Sequence, residues 1–186
     1  FKPIRIALLT TGNELRDPGS GALEPGEIFN SNRFTLAAQI RALGMTVIDC
    51  GNLPDDPDQI GDALERAAAE ADCIVTAGGV SVGEEDHVKS QIEQRGALDL
   101  WKLAIKPGKP LAFGHVAGTP IFGLPGNPVS SMVCGHVFLT PVIRHMLGLP
   151  AEQTRHTLAP LACAIARNGP REHYMRASFS NGQLTP

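Results

Sequence analysis

Short apolar runs alternate with amphipathic stretches along most of the chain. The runs Ile4–Thr11, Met45–Cys50 and Cys73–Ala77 have the length of strands, and continuous apolar runs of this kind are typical of buried parallel strands. The stretches between them have the length of helices. Strands that alternate with helices in this way predict a doubly wound α/β sheet with right-handed crossovers.

Capping residues mark where the helices begin and end. Ser31 or Asn32 can cap a first helix that stops at Gly44. Asp56 is a natural N-cap for the second helix, with Pro57 at its first position. Both signals support the α/β prediction.

The second half of the predicted domain begins with a glycine-rich turn, Gly78–Gly83, and a helix is expected to start near Asp86. Three further strands are predicted: Leu98–Ile105, Pro110–Val116 and Thr119–Gly123.

A long apolar helix is predicted from Asn127-Pro128 to just before the cluster Gly148–Pro150. This cluster predicts a domain boundary, with an α/β domain over 1–148 and the start of a β domain over 149–186. We interpret the chain as a piece of a longer protein. Two strands are expected after the boundary: Thr157–Ala166 and His173–Phe179.

Composition narrows the class of protein. A hydrophobic fraction of 42% is ordinary for a globular domain, and a formal net charge of −3 argues against a general nucleic-acid or membrane-surface binder. No run suits a bilayer span and no signal peptide is recognisable. The four cysteines form no C-x-x-C pair and lie in apolar runs, which predicts reduced core thiols in a cytoplasmic protein.

Acidic residues follow each of the first three strands: Glu14, then Asp55 and Asp56, then Asp86. Ligands of an open α/β sheet bind outside the carboxyl ends of the strands, where these loops converge. Carboxylate oxygens there suit Mg²⁺. The alternative is that each residue is a helix cap or a solvated loop residue, and Asp56 fits the cap.

Two turns are candidate anion sites. Gly78–Gly83, which contains Ser81, would expose backbone N–H groups at the start of a helix, although it matches neither a dinucleotide fingerprint nor a P-loop. Gly123–Pro128 has two prolines and two glycines before the helix that Asn127 caps. For each turn, a tight turn without a ligand remains the alternative.

Lysines cluster in the segment Trp101–Pro110. In a strand, Lys102 and Lys106 would share one face, and their charges would repel unless an anion lay between them. Lys109 lies in the following turn. A phosphate-bearing ligand explains this cluster, and an exposed edge face is the alternative.

These motifs, in this order, resemble the molybdopterin molybdenumtransferases, a family that includes the C-terminal domain of gephyrin. The resemblance covers roughly Ile4–Leu147, and Arg171–Arg176 resembles part of the family's C-terminal domain. Asn13 and His87 depart from the usual family residues. The resemblance is carried by six segments: Thr11–Leu15, Ser31-Asn32, Asp55–Pro57, Gly78–Asp86, Lys102–Pro110 and Gly123–Pro128.

The resemblance implies a three-layer α/β/α domain with a mostly parallel sheet, followed by part of a C-terminal β domain. It implies an enzyme that inserts molybdate into adenylylated molybdopterin and releases AMP, assisted by Mg²⁺. It also implies a homodimer when the protein is full length, and partners among molybdopterin adenylyltransferases and apo-molybdoenzymes. Segments that complete the family's site are absent from this chain, so the fragment alone is expected to turn over poorly.

Specific roles follow from the same resemblance. Asp55 and Asp86 would hold Mg²⁺, and Lys102 and Lys106 would neutralise the charge of phosphate or molybdate. Glu14 would orient a water or the molybdate. The remaining residues are expected to bind the pterin or its phosphate: Gly78, Gly79, Ser81, Lys109, Pro125, Asn127 and Pro128.

Two other functions are compatible with the pattern. A molybdopterin adenylyltransferase would share the fold and the acidic crevice, but its glycine loop usually reads Gly-Gly-Thr-Gly, whereas this chain has Gly78-Gly-Val-Ser81. A scaffold that uses the fold to grip a peptide, as gephyrin does, need not keep Asp55, Asp86 and Lys102 together. Their presence favours the transferase.

Overall fold

A computed structural model describes residues 2–80, 87–150 and 157–186 of the chain. Its helices are α1 (Ser31–Ala42), α2 (Pro57–Glu70), α3 (His87–Arg95), α4 (Pro128–Cys134), a π-helical turn (Gly135–Leu139) and α5 (Thr140–Met146). Its strands are β1 (Arg5–Thr11), β2 (Leu15–Arg16), β3 (Ile28–Phe29), β4 (Thr46–Leu53), β5 (Cys73–Ala77), β6 (Gly96–Trp101), β7 (Ile105–Lys106), β8 (Ala112–Val116), β9 (Thr119–Leu124), β10 (Glu172–His173), β11 (Ser178–Ser180) and β12 (Gln183–Thr185). No helix in these ranges is long and apolar enough to cross a membrane.

The main sheet has the strand order β4-β1-β5-β9-β8-β6. The first four strands are parallel, and β8 is antiparallel to both of its neighbours. This confirms the predicted mostly parallel sheet. It also brings the carboxyl ends of β1, β4, β5 and β9 to one edge.

Helices cover both faces of the sheet, because alternate residues of each central strand face opposite sides. In β1, Ile6 and Leu8 pack in one core cluster with α1 and α5, whereas Ala7 and Leu9 pack in the other with α2 and α3. The three-layer α/β/α arrangement is therefore confirmed.

Most predicted helix starts are confirmed, and one is wrong. Asp56 caps α2 by accepting from the backbone N–H of Gln59 at 2.9 Å, with Pro57 next to it. Asn30, rather than Ser31 or Asn32, caps α1 by accepting from the N–H of Arg33 at 3.2 Å. The side chain of Asn32 is used elsewhere.

Three predicted strands differ from the structure, and the one predicted over His173–Phe179 is divided into β10 and β11, with residues 174–177 outside both. The strand predicted over Leu98–Ile105 ends at Trp101, since Lys102 takes a left-handed backbone conformation with φ of 69°. No strand element covers Thr157–Ala166, where an isolated bridge joins Leu161 to Leu184. The predicted boundary near 148 remains a prediction.

All four cysteines are free, as predicted, but not all are core residues. Cys73 and Cys134 are buried, and burial raises the pKa of Cys73 to about 12 and that of Cys134 to about 11. Cys50 is half-buried and Cys163 is exposed, so the prediction of core thiols is confirmed for two of the four.

Candidate functional site

A chain of polar side chains fixes the loop that leaves β1. Asn30 donates from Nδ2 to Thr10 Oγ1 at 2.8 Å, and Thr10 Oγ1 lies 3.1 Å from Asn52 Oδ1. Asn52 in turn donates to the carbonyl of Gly12 at 3.1 Å. Thr10 and Asn30 are buried. These hydrogen bonds therefore fix the carboxyl end of β1 against that of β4. This network was not predicted from the sequence. The two threonines that end the apolar run of β1 were the sign of polar partners there.

Asp55 is joined to the β1 loop by two hydrogen bonds of opposite direction. The backbone N–H of Asn13 donates to Asp55 Oδ2 at 2.9 Å, and the backbone N–H of Asp55 donates to Asn13 Oδ1 at 3.2 Å. The predicted convergence of these two loops is confirmed. Asp55 is half-buried and is held at the crevice edge by a neutral neighbour.

Glu14 lies next to this pair with an exposed side chain. Its carboxylate folds back over Gly12, where a Cβ would collide with the carboxylate oxygens. Gly12, with φ of 151°, therefore leaves room for the acid at this position. The structure thus places Glu14 and Asp55 on adjacent loops.

The glycine turn after β5 is packed against β1. A Cβ on Gly78 would lie 2.6 Å from the carbonyl oxygen of Thr11, and one on Gly79 would lie 2.5 Å from Val88 Cγ2. The N–H of Gly78 already donates to the carbonyl of Leu124 at 3.2 Å. These two glycines are therefore needed for close packing, and Gly78 does not offer its N–H to a ligand. Ser81 and Asp86 lie outside the described residues.

One buried hydroxyl points to a ligand or a polar loop group at this turn. Thr11 Oγ1 lies 2.9 Å from the Cβ positions of both Gly78 and Gly79, and it makes no hydrogen bond within the described residues. An unpaired buried hydroxyl costs about 1–3 kcal/mol. The arrangement accommodates a polar partner here better than an apolar one.

The Pro125–Pro128 turn is fixed from two sides. Asn127 caps α4 as predicted, with Oδ1 accepting from the N–H groups of Val129 at 3.1 Å and Ser130 at 3.2 Å. Asn32 donates from Nδ2 to the carbonyl of Gly126 at 2.7 Å. The start of α1 is thereby tied to the turn. Pro125 is buried, whereas Asn127 and Pro128 are exposed at the edge of the crevice.

The lysines do not form the predicted single face. Lys102 follows β6 and lies over the ring of Trp101, whose indole N–H donates to the carbonyl of Val80 at 3.1 Å. Lys106 belongs to β7, a separate two-residue strand that pairs with β10. The shared-face argument is wrong because the left-handed residue at 102 ends β6. Lys102 adjoins the glycine turn through Trp101, and Lys106 and Lys109 are exposed on the loop beyond it.

Among the described carboxylates, that of Asp55 could supply one ligand to a magnesium ion. Within the described ranges, no three His, Cys, Asp or Glu side chains come together as a metal cluster. The pKa of Asp56 is lowered, chiefly by the backbone N–H of Gln59, which agrees with a capping role. Asp55 Oδ2 accepts one N–H, so Oδ1 can meet a cation, and Mg²⁺ is commonly held by one or two carboxylates together with substrate phosphates.

Comparison with protein families gives one match. A family model described as a probable molybdopterin binding domain matches residues 7–145. The matched range contains β4, β5 and β9, β1 from Ala7 onward, and all four loops at the crevice.

Named relatives match over nearly the whole chain. It is 38% identical over 182 residues to the molybdopterin molybdenumtransferase of Haemophilus influenzae, covering 98% of this chain and 44% of that protein. It is 40% identical over 179 residues to the molybdopterin molybdenumtransferase 2 of Mycobacterium tuberculosis, covering 93% of this chain and 44% of that protein. The chain therefore spans less than half the length of these curated relatives.

Solved structures show the same fold to two different extents. A molybdopterin biosynthesis MoeA protein from Pyrococcus horikoshii superposes with a TM-score of 0.79 at 28% identity, covering 100% of this chain and 45% of its own. The molybdopterin biosynthesis enzyme MoaB from Thermus thermophilus superposes with a TM-score of 0.60 at 20% identity, covering 80% of this chain and 99% of its own. The second likeness concerns the fold alone.

Proposed function

Because the chain belongs to the molybdopterin-binding domain family, we propose that it is the ligand-binding part of a molybdopterin molybdenumtransferase. In the proposed reaction, molybdate is inserted at the dithiolene of adenylylated molybdopterin and AMP is released. The observation that carries the proposal is the similarity to the Haemophilus influenzae enzyme, which extends over 98% of the chain, tail included.

The tail also favours the transferase over the adenylyltransferase alternative, since the Haemophilus influenzae relative matches 98% of this chain. The MoaB structure covers 80% of this chain with 99% of its own length, so about a fifth of this chain has no counterpart in it. In this chain the tail carries β10, which pairs with β7 next to Lys106.

The crevice residues have distinct proposed roles. Glu14 and Asp55 border the entrance on adjacent loops, and Lys102 lies near the glycine turn with a positive charge for phosphate or molybdate. Lys106 and Lys109 extend this charge along the loop towards the tail. Asp86 would stand with Asp55, and Ser81 and Gly79 would bind the pterin phosphate.

The Pro125–Pro128 turn would position the other edge of the ligand. Its backbone is fixed by Asn32 and by the Asn127 cap, so it offers a rigid wall without losing conformational entropy on binding. Gly78 supports the turn by packing rather than by binding. Mg²⁺, when bound, would neutralise phosphate charge beside Asp55 and Asp86.

Calorimetric titration tests this proposal. AMP and adenylylated molybdopterin are titrated into the chain with and without Mg²⁺, and into Asp55→Asn and Asp86→Ala. Binding that requires Mg²⁺ and is weakened in both variants supports the site. Asp62→Asn, on an exposed turn of α2, is a matched control and should bind like the parent chain. Ligand binding that ignores Mg²⁺ and both substitutions contradicts the proposed site.

The alternatives predict different outcomes. A molybdopterin adenylyltransferase would convert ATP and molybdopterin to the adenylylated product, whereas a scaffold would bind neither AMP nor the pterin. We include in the proposal a cytoplasmic location, a homodimer for the full-length protein, and exchange with a molybdopterin adenylyltransferase and apo-molybdoenzymes.

A further inference from the structure

Trp101 connects the end of β6 to the glycine turn. It is the last residue of β6, and its ring packs against the core cluster that contains Val80 and Val88. Its indole N–H donates to the carbonyl of Val80 at 3.1 Å, one residue after Gly79. The ring is therefore fixed by packing on the core and by a hydrogen bond to the turn.

Two ammonium groups lie over this ring. Lys102 Nζ is 3.7 Å from the ring centroid, and Lys89 Nζ is 4.6 Å from it. Indole has the strongest cation-binding face among the aromatic side chains. Two lysines from different elements, α3 and the end of β6, are thus gathered at one ring beside the crevice.

The two lysines differ in how their charge is balanced. Lys89 Nζ lies 2.7 Å from Glu93 Oε1 in an i,i+4 ion pair. Lys102 forms no ion pair within the described ranges, and its side chain is exposed. A carboxylate would hold an ammonium group and neutralise it, but an aromatic face holds it and leaves its charge available to an anion.

The backbone also fixes the direction in which the side chain of Lys102 points. Its φ of 69° is unusual for a residue with a side chain, and its N–H donates to the carbonyl of Leu111 at 3.0 Å. The next residue, Leu103, donates to the carbonyl of Lys109 at 2.9 Å. Backbone and ring together give Lys102 a defined place.

We propose that Trp101 is a positioning residue that holds the Lys102 ammonium beside the glycine turn, with its charge uncompensated, for the phosphate of an anionic ligand. The inference rests on the proposed function for its ligand, but the position of Lys102 can be measured without one. Lys89 keeps its Glu93 partner and supports the ring from α3.

Carbon-13 reductive methylation tests the position directly. The chain has five lysines, so the dimethyl-lysine signals can be assigned by substitution, Lys102 by Lys102→Met. A group that close to the indole face is shifted upfield by the ring. The shift should be lost in Trp101→Leu, reduced in Trp101→Phe, and absent throughout for Lys2, which lies outside the ring contacts. A Lys102 signal at the ordinary position in the parent chain overturns the inference.

A double-mutant cycle tests the consequence for binding. Trp101→Leu should weaken AMP binding roughly two- to fivefold, the range for a cation–π contact at an exposed site, and should add nothing in the Lys102→Met background. Equal weakening in both backgrounds overturns the positioning role. Circular dichroism and thermal unfolding verify each fold, and Trp101→Phe provides the same comparison if the leucine variant unfolds.

The two hypotheses fail separately. An upfield Lys102 signal in a chain that binds neither AMP nor adenylylated molybdopterin contradicts the proposed function and supports the placement of Lys102 by Trp101. Normal Mg²⁺-dependent binding with an unshifted Lys102 signal supports the function and overturns the placement.

Discussion

Asn13 and Asp55 hold each other across two loops, each donating its backbone N–H to the other's side chain, at 2.9 Å and 3.2 Å. An asparagine supplies a neutral acceptor for this purpose. An aspartate at position 13 could accept the same bond but would place a second negative charge beside Asp55. The pair therefore sets both the position of Asp55 and the charge around it.

Replacing Asn13 should separate these two effects. Asn13→Ala removes the acceptor for the N–H of Asp55, so we expect a loss of about 0.5–1.5 kcal/mol in the free energy of unfolding and weaker Mg²⁺-dependent AMP binding. Asn13→Asp keeps the acceptor, so stability should stay near that of the parent chain. The added charge should weaken AMP binding without Mg²⁺ and increase the response to Mg²⁺.

Urea denaturation and calorimetry measure both quantities. If Asn13→Asp loses as much free energy of unfolding and as much AMP binding as Asn13→Ala, the hydrogen bond does not orient Asp55.

The glycine turn allows a matched test of packing against backbone strain. Gly78 and Gly118 both have positive φ, 100° and 82°, but a Cβ meets Thr11 at Gly78 and nothing within 4 Å at Gly118. Alanine at Gly118 should cost about 1–2 kcal/mol for the left-handed backbone. Alanine at Gly78 should cost a further 1–3 kcal/mol or so through overpacking. Equal losses in chemical denaturation would mean that the turn yields and that Thr11 is not tightly packed beneath it.

The thiols should react in the order of their exposure. Cys163 is exposed, whereas burial raises the pKa of Cys73 to about 12 and that of Cys134 to about 11. The native chain is expected to give one fast reaction with an aromatic disulfide reagent, and Cys163→Ser should remove it. Cys50 is half-buried and should react more slowly, whereas full reaction of Cys73 and Cys134 should require denaturant. A fast phase that survives when both Cys50 and Cys163 are replaced by serine would contradict the burial of Cys73 and Cys134.

Acid should weaken the contact between β4 and α1. Burial acts to raise the pKa of Asp49, but hydrogen bonds from Arg33 and from the N–H of Gly51, with nearby positive charge, lower it overall. Since the folded pKa lies below the unfolded one, this stabilisation is complete above the unfolded pKa, about 4, and is lost as the pH falls through the folded pKa.

The stability gap between the parent chain and Asp49→Asn should therefore stay constant near neutral pH and narrow as the pH falls from about 5 through the folded pKa of Asp49. Urea denaturation across this range measures the gap, and Asp62→Asn is the control whose difference should stay small. A gap that widens in acid would mean that the carboxylate of Asp49 is not stabilised by Arg33.

Much of the fold could be predicted from local signals. β1 and β5 are apolar runs whose residues alternate between the two buried faces of the sheet. The caps of α2 and α4 are single residues, Asp56 and Asn127, each followed by proline. The convergence of the loops that carry Glu14 and Asp55 followed from one rule about the carboxyl ends of parallel strands. These features depend on residues close in sequence or on general topology.

Other features depend on contacts between distant residues and were missed. Three capping residues stand in a row at the start of α1, and Asn30 caps because Asn32 is used by Gly126, which lies 94 positions away. The strand at Trp101 ends because Lys102 adopts a conformation that no propensity predicts for lysine. The contacts of Trp101 were not predicted, because its partners come from α3 and the glycine turn.

The place of Trp101 has a further consequence for optical spectroscopy. It is the single tryptophan of the chain, and Tyr174, the single tyrosine, follows β10 and packs against the other core cluster. The intrinsic fluorescence of this protein thus comes from one donor in the tail, Tyr174, and one acceptor at the crevice, Trp101. The efficiency of energy transfer from Tyr174 to Trp101 depends on the distance between the two rings. It can therefore report a movement of the tail relative to the crevice without any added dye.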